Sequence, residues 1–119
     1  MSQHTVFVVE DDTDTREMLS RFLEMEGYQV ESATNGRQAL ERLQSGSRAS
    51  VIVLDLMMPV MDGWQFREEQ VRDATLASIP VIVVSAAGRD RIDQIDANAV
   101  LLKPIDLDEL LSCVTACCR

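Results

Sequence analysis

Three short apolar runs, separated by segments with helical spacing, constrain the fold of this chain more than any other feature. The runs are Val6–Val9, Val51–Leu54 and Val81–Val84, and each is rich in β-branched side chains. Continuous runs of this kind are typical of strands buried on both faces, as in parallel sheets covered by helices on each side. Tyr28–Glu31 and Ala99–Leu102 are weaker candidates for two further strands.

The segments between these runs carry residues that begin and end helices. Asp14, Asn35 and Asp106 each stand three positions before Glu or Gln, and apolar residues at helical spacing follow each of them. This arrangement is typical of capped helix N-termini. Gly27 and Gly46 are predicted to end the first two of these helices, since glycine is common just beyond a helix C-terminus.

Two more helices complete an alternating pattern. One is predicted from about Gly63 to Asp73, and a short one around Arg89–Ile95 has little apolar surface. Five strands alternating with five helices, the fourth of them short, predict a doubly wound α/β fold around a five-stranded parallel sheet. The length of 119 residues suits one domain.

The charge and the apolar pattern exclude several classes of partner. Acidic residues outnumber basic residues 20 to 11, which gives a net charge of −9. Because an acidic surface repels phosphate backbones, direct binding of nucleic acid is not expected. No apolar run approaches the ~18 residues that span a bilayer, and the first residues lack a signal-peptide pattern, so membrane insertion is not expected.

Three cysteines lie close together near the end of the chain, at positions 113, 117 and 118. Without a secretion signal they are predicted to be reduced thiols of a cytoplasmic protein. A metal or redox pair at Cys113 and Cys117 is less favoured, because a cysteine on a helix usually behaves as a small apolar residue.

Polar side chains follow four of the five predicted strands. The first strand runs into Glu10–Asp12, the third into Asp55, the fourth into Ser85 and the fifth into Lys103. Because ligands of open parallel sheets bind beyond the carboxyl ends of the strands, these residues are candidates for one site. Clustered carboxylates repel each other unless a cation bridges them, and oxygen ligands without His or Cys favour Mg²⁺.

The same residue types are suited to phosphoryl chemistry. A hydroxyl from Ser85 and the ammonium of Lys103, the only lysine of the chain, can hold phosphoryl oxygens beside the ion. A carboxylate can act as the nucleophile and form an acyl phosphate. Asp55 is the best candidate, since it follows an apolar run and is expected to emerge alone at the centre of the sheet.

Five stretches carry the sequence pattern of a known family. They are Val8–Asp12, Gly27–Tyr28, Ile79–Ala86, Lys103–Pro104 and, most specifically, Asp55–Gly63 with the sequence Asp-Leu-Met-Met-Pro-Val-Met-Asp-Gly. These stretches resemble the CheY-like receiver domains of bacterial two-component response regulators. The resemblance implies a single receiver domain over residues 1–119, with the flavodoxin-like strand order 2-1-3-4-5. Whether the domain stands alone or belongs to a longer protein is left open.

The resemblance also implies roles for the residues at the strand ends. Asp55 would accept a phosphoryl group from a phosphohistidine on a sensor histidine kinase or a histidine phosphotransfer protein. Mg²⁺ would be bound directly by Asp12, Asp55 and the backbone carbonyl of Met57, and by Asp11 through water. The chain would not be an enzyme beyond its own phosphorylation and dephosphorylation.

Further implications concern the phosphoryl oxygens and the output. Ser85 and Lys103 would hold these oxygens, and Pro104 resembles the cis-proline that directs the lysine of the family. Phosphorylation would change protein–protein contacts with a downstream target that the sequence does not identify.

Two departures from the family pattern favour an alternative function. Val100 stands three residues before Lys103, where the family usually has a Tyr or Phe that turns inward on phosphorylation. The interval from Ser85 to Lys103 is 18 residues, about one helical turn shorter than in the chemotaxis relative. The alternative is a degenerate receiver that serves as a protein-binding scaffold.

Other functional classes fit less well. An aspartyl-phosphate phosphatase would have its nucleophile in an Asp-x-Asp motif after the first strand, which would leave Asp55 without a role. A flavodoxin-like cofactor binder would have a Gly-rich or hydroxyl-rich phosphate loop there, whereas this chain has three consecutive acids that repel phosphate. An EF-hand would have Gly where Glu17 stands.

Overall fold

Five parallel strands form the centre of the fold. The computed structural model of the chain describes residues 4–86 and 95–118. The strands are β1 (Thr5–Val9), β2 (Gln29–Ala33), β3 (Val51–Asp55), β4 (Val81–Ser85) and β5 (Ala99–Leu102). They pair in parallel in the order β2-β1-β3-β4-β5, which confirms the strand order that the resemblance implies.

Four helices lie in the described residues, where the sequence predicted five over the whole chain. They are α1 (Thr13–Met25), α2 (Gly36–Gln44), α3 (Gly63–Arg72) and α4 (Leu107–Cys117). The short helix predicted around Arg89–Ile95 falls mostly on residues 87–94, which lie outside the described ranges. Ile95, the last residue of that prediction, lies in a bend and packs against the core, so it is not part of a helix.

Two apolar clusters fill the space between the sheet and the helices. On one face, side chains of β1, β3 and β4 pack against α2 and α3, with Phe7, Ile52 and Phe66 fully buried. On the other face, alternate residues of the same strands pack against Leu19 of α1 and Leu110 of α4. Strands β3 and β4 are buried along their whole length, which explains why their sequences are continuously apolar.

Helix capping follows the predicted pattern at two helices and departs from it at the first. Asn35 and Asp106 accept hydrogen bonds from the first backbone N–H groups of α2 and α4, as predicted. The prediction that Asp14 caps α1 is wrong, because Asp12 is the N-cap and Asp14 lies in the first turn. Asp62, which the sequence analysis did not single out, caps α3 through a reciprocal capping box with Gln65.

Glycines follow the ends of the first two helices, as predicted. Gly27 and Gly46 have φ angles of 97° and 115°, a left-handed conformation that favours glycine. This backbone turn redirects the chain from each helix toward the next strand.

The three cysteines pack beside the sheet as apolar residues. Cys113 and Cys117 are half-buried, Cys118 is buried, and all three are free thiols. Burial raises the pKa of each thiol, which favours the protonated and unreactive form.

None of the four helices in the described ranges has the length and apolar content needed to cross a membrane.

Candidate functional site

Four charged side chains meet at the carboxyl edge of the sheet. Glu10 and Asp11 follow β1, Asp55 ends β3, and Lys103 follows β5. Carboxylate oxygens of Glu10, Asp11 and Asp55 lie within 4.8 Å of one another. The ammonium nitrogen of Lys103 lies 2.9 Å from Oε1 of Glu10 and 3.4 Å from Oδ2 of Asp55. The structure therefore brings together four of the strand-end candidates, and one of them is Glu10, to which the resemblance gave no role.

The sheet fixes Glu10 and Asp55 where they can face each other. The backbone N–H of Glu10 donates to the carbonyl oxygen of Ala33, so the ladder between β1 and β2 continues one residue past the strand. Only 1% of Glu10 and 3% of Asp55 is exposed. Two carboxylates buried this deeply need a cation nearby, and Lys103 supplies one.

Asp12 does not join this group. Its Oδ2 accepts hydrogen bonds from the backbone N–H of Thr15 at 2.9 Å and from the hydroxyl of Thr15 at 2.7 Å. Both bonds lower the pKa of Asp12, which is thereby held ionised as the N-cap of α1. The resemblance implied a direct metal-binding role for Asp12 and none for Glu10. The signal that distinguishes them is that Glu10 directly follows the apolar run of β1, whereas Asp12 precedes the helix.

Charge repulsion and burial shift the proton affinities of the site. Partial burial raises the pKa of Asp11, and the hydrogen bond and the negative charge of Glu10 raise it further. Partial burial alone would lower the pKa of Lys103, but the hydrogen bond that Lys103 donates to Glu10 and the charges of Asp55 and Glu10 raise it overall. The lysine is therefore charged throughout the neutral range. The cluster contains three carboxylates and only one ammonium, so its negative charge exceeds what Lys103 balances and a second cation would be favoured there.

Ser85 and Lys103 lie side by side on neighbouring strands. Ser85 is the last residue of β4 and is fully buried. Its carbonyl oxygen accepts a hydrogen bond of 3.0 Å from the backbone N–H of Lys103. The peptide bond between Lys103 and Pro104 is cis, as the resemblance implies. Ser85 is thus placed at the same edge of the sheet as the acidic cluster.

The loop after Asp55 returns to the site through several backbone contacts. The N–H of Met57 donates to Oδ1 of Asp55 at 3.4 Å, and the side chain of Met57 is half exposed. The N–H of Gly63 donates to the carbonyl oxygen of Leu56 at 2.9 Å, which closes the loop onto the end of β3. This loop therefore fixes the backbone on the carboxyl side of Asp55.

A strained turn lies at the tip of this loop. Val60 has a φ of 69°, and the N–H of Met61 donates across it to the carbonyl oxygen of Pro59 at 2.8 Å. A hydrogen bond between residues two positions apart defines a γ-turn, here with a positive φ at its central residue. This conformation is strained for a β-branched residue such as Val60.

Replacing Val60 by Gly is expected to raise the free energy of unfolding by about 0.5–1 kcal/mol. The left-handed conformation costs a side chain about 1–2 kcal/mol, and the greater freedom of unfolded glycine offsets about half of that gain. Little packing is lost, because Val60 is 74% exposed. Urea unfolding measures the change. Val71→Gly, at an exposed valine of α3, is the matched control and should destabilise the fold. A Val60→Gly protein no more stable than wild type would contradict this expectation.

Comparison with known proteins shows a family that covers nearly the whole chain. Residues 6–115 match the profile of the response regulator receiver domain. Over 118 residues the chain is 40% identical to the response regulator MprA of Mycolicibacterium vanbaalenii, covering 96% of this chain and 50% of MprA. It is also 35% identical over 118 residues to the DNA-binding dual master transcriptional regulator RpaA of Synechocystis sp.. That match covers 96% of this chain and 48% of RpaA. The chain thus spans about half the length of these curated relatives.

A solved structure shares both the fold and part of the sequence. The response regulator protein TrrA of Thermotoga maritima, in complex with Mg²⁺–BeF, superposes with a TM-score of 0.86 at 28% identity. The match covers 97% of this chain and 99% of TrrA. From the family profile, the sequence identities and the arrangement of its sheet, the chain belongs to the response regulator receiver domains of two-component signal transduction.

Proposed function

We propose that this chain is a Mg²⁺-dependent phosphoacceptor in which Asp55 receives a phosphoryl group from a phosphohistidine. The main support for the proposal is the position of Asp55 beside one ammonium and two other carboxylates. Its buried carboxylate ends the central strand β3, lies 3.4 Å from the ammonium of Lys103, and shares a cluster with two other acids. A nucleophile, a cation for phosphoryl oxygens and metal-binding carboxylates are thereby held within one site.

The residues present fit a magnesium ion. Three carboxylates with oxygens within 4.8 Å of one another carry more negative charge than Lys103 balances, and Mg²⁺ prefers oxygen ligands. Asp11, Asp55 and the backbone carbonyl of Met57 would hold the ion, with Asp11 in the direct role first assigned to Asp12. TrrA, whose structure contains Mg²⁺–BeF, supports the choice of Mg²⁺ by similarity. When bound, the ion neutralises negative charge that develops during phosphoryl transfer.

In the proposed reaction a carboxylate oxygen of Asp55 attacks the phosphorus of the phosphohistidine. An O–P bond forms, the N–P bond breaks, and its electron pair stays on the histidine nitrogen. Lys103 stays protonated and would move from Glu10 toward a phosphoryl oxygen, while the hydroxyl of Ser85 would donate to another. Each group comes from a different strand end, so the sheet itself holds the reactants in place.

The proposed donor is a sensor histidine kinase or a histidine phosphotransfer protein, and the output is an altered contact with a downstream protein. Catalysis would be confined to the domain's own phosphorylation and dephosphorylation. The DNA binding in the name of RpaA belongs to a protein of which this chain spans only about half, and no contact with DNA is proposed for these residues. The cytoplasmic location remains a prediction.

The degenerate receiver is the weaker candidate. Val100, which replaces the aromatic residue of the family, is 39% exposed on the edge strand β5. Valine has no ring to turn inward, so we expect the switch to act through the position of Lys103 and Ser85. A scaffold without phosphorylation would leave the buried charge cluster without a role.

Incubation with acetyl phosphate tests the proposal. We expect a phosphoryl adduct on the wild-type protein with Mg²⁺, little adduct without it, and none on Asp55→Asn, which has no carboxylate to attack phosphorus. Mass spectrometry of the intact protein measures the adduct.

Two further variants test the choice between neighbouring acids. Asp11→Asn should lose most of the adduct, whereas Asp12→Asn should keep it, because asparagine caps a helix as well as aspartate. No adduct on wild type, or an equal adduct on Asp55→Asn, would contradict the mechanism. Loss of the adduct in Asp12→Asn but not in Asp11→Asn would restore Asp12 as the metal ligand.

A further inference from the structure

Arg16 connects the acidic loop after β1, which consists of Glu10–Asp12, to helix α1. Its Nη1 donates to the carbonyl oxygen of Glu10 at 2.9 Å and to that of Asp11 at 3.3 Å. Its Nη2 lies 3.5 Å from the hydroxyl oxygen of Thr13. The side chain is half-buried, and the backbone N–H of Arg16 donates to the carbonyl oxygen of Asp12. One guanidinium therefore spans two successive peptide groups of the loop.

These two carbonyls belong to the residues whose carboxylates face Asp55. The N–H of Glu10 is held by Ala33 of β2, and the N–H of Asp12 donates to Oε2 of Glu10 at 3.1 Å. Arg16 holds the carbonyl side of the Asp11–Asp12 peptide, whose N–H donates to Glu10, and also the carbonyl of the preceding Glu10–Asp11 peptide. The direction in which Asp11 leaves the backbone depends on the orientation of these peptides, so a group that fixes them also aims the carboxylate.

Arginine is suited to this contact in a way that lysine is not. Its planar guanidinium presents several N–H donors in a fixed fork, whereas a lysine ammonium is a flexible point charge. The two hydrogens of Nη1 can therefore hold two successive carbonyl groups at once, as they do at Glu10 and Asp11.

We propose that Arg16 is a positioning residue for the metal-binding loop. Its guanidinium holds the peptides of Glu10 and Asp11 so that the Asp11 carboxylate is aimed at the ion that Asp55 shares. The inference rests on the proposed function, because it concerns affinity for Mg²⁺. Groups that orient metal ligands typically contribute 10–100-fold in metal affinity.

We expect the fold to survive the loss of this contact, so the role can be tested in folded protein. Helix α1 begins at Asp12, which caps it through Thr15 without help from Arg16. The apolar side of α1 is anchored in the core by Leu19 and Leu23. Removal of the guanidinium should therefore change the loop much more than the helix.

Titration with MgCl₂ at constant ionic strength, followed by amide chemical shifts in NMR spectra, tests the inference. We expect Arg16→Ala to raise the dissociation constant of Mg²⁺ about tenfold. Arg16→Lys, which keeps the charge but loses the fork, should fall between Arg16→Ala and wild type. Arg21→Ala is the matched control, because it removes the same charge from an exposed position of α1 and should change the constant less than twofold.

Two further readouts separate positioning from general damage. Hydrogen exchange at the amides of Asp11 and Asp12 in metal-free protein should quicken in Arg16→Ala and not in Arg21→Ala. The adduct formed with acetyl phosphate should return toward the wild-type level when Mg²⁺ is raised about tenfold, as expected for a weakened affinity and intact chemistry.

The outcomes distinguish this inference from the proposed function. Wild-type affinity in Arg16→Ala, or an equal loss in Arg21→Ala, would overturn the role of Arg16 and leave the phosphoacceptor intact. A wild-type protein whose shifts do not respond to MgCl₂ would overturn the magnesium site and this inference with it.

Discussion

Replacement of Lys103 by Met should lower the free energy of unfolding by about 3 kcal/mol at neutral pH without metal. Methionine preserves much of the lysine stem but removes the ammonium that lies 2.9 Å from Glu10 and 3.4 Å from Asp55. Both carboxylates are almost fully buried, so each would either carry its charge without a nearby cation or take up a proton, and both alternatives cost free energy. Because 26% of the Lys103 side chain is exposed, we expect the low end of the range for broken buried ion pairs. Urea unfolding measures the loss.

A double-mutant cycle with Glu10 separates the ion pair from the loss of packing. Glu10→Gln removes one buried negative charge and keeps the shape of the side chain. If the charges are coupled, Glu10→Gln should recover at least about 1 kcal/mol when it is added to Lys103→Met. Equal effects of Glu10→Gln in the two backgrounds would show that the ion pair contributes nothing to stability.

The pH dependence of the same variant has a definite sign. The pKa of Lys103 is raised in the folded protein, chiefly by Glu10 and Asp55, which outweigh the opposing effect of burial. A raised lysine pKa gives stability that is fully present below the ordinary lysine value and is lost as pH rises through the folded value. The difference in stability between wild type and Lys103→Met should therefore persist across neutral pH and shrink as the pH rises into the alkaline range.

Replacement of Gly63 by Ala is the second large effect, with an expected loss of about 3 kcal/mol. A Cβ at Gly63 would lie 2.7 Å from the carbonyl oxygen of Asp55, 2.7 Å from Cα of Leu56 and 2.6 Å from Cδ2 of Leu56. Two of these atoms are backbone and cannot turn aside, so either α3 or the end of β3 must shift. Because Asp55 is in the path of that shift, the adduct formed with acetyl phosphate should fall as well.

Gly46→Ala is the control for this substitution. A Cβ at Gly46 meets nothing within 4 Å, but the φ of 115° is unfavourable for alanine. We expect a loss of about 1 kcal/mol from the backbone alone and an unchanged adduct, because Gly46 lies beyond α2 and outside the site. A Gly63→Ala protein with the stability and the adduct of wild type would show that the close approach is not limiting.

Some of the site could be predicted because its residues lie at strand ends. The apolar runs that form β1, β3 and β4 locate the carboxyl edge of the sheet, and Asp55 and Ser85 each directly follow one of these predicted runs. Lys103 follows the weaker run of β5 in the same way. The helix caps at Asn35 and Asp106 were predictable for a similar reason, since a capping bond is made within four residues of sequence.

The acidic loop shows where this reasoning ended. Glu10, Asp11 and Asp12 are consecutive, and a pattern of residue types does not determine which of the three faces the sheet edge and which caps the helix. That choice depends on the last hydrogen bond of the β1–β2 ladder, made with Ala33, and on the first hydrogen bonds of α1, made with Thr15. These bonds place the Asp12 side chain at the helix cap and outside the acidic cluster, and the asparagine variants test which of Asp11 and Asp12 binds the metal directly.

Sequence alone determined the layered fold, the edge at which charges gather and the chemistry that such charges can support. It did so because burial on both faces of a strand and capping of a helix are local requirements, visible in neighbouring residues. Only the tertiary structure paired Lys103 with Glu10 across 93 positions, set Gly63 against the backbone of Asp55 and placed Arg16 on the peptides of the acidic loop. These contacts depend on distances of a few tenths of an ångström between segments that only packing brings together, and no spacing along the chain encodes them.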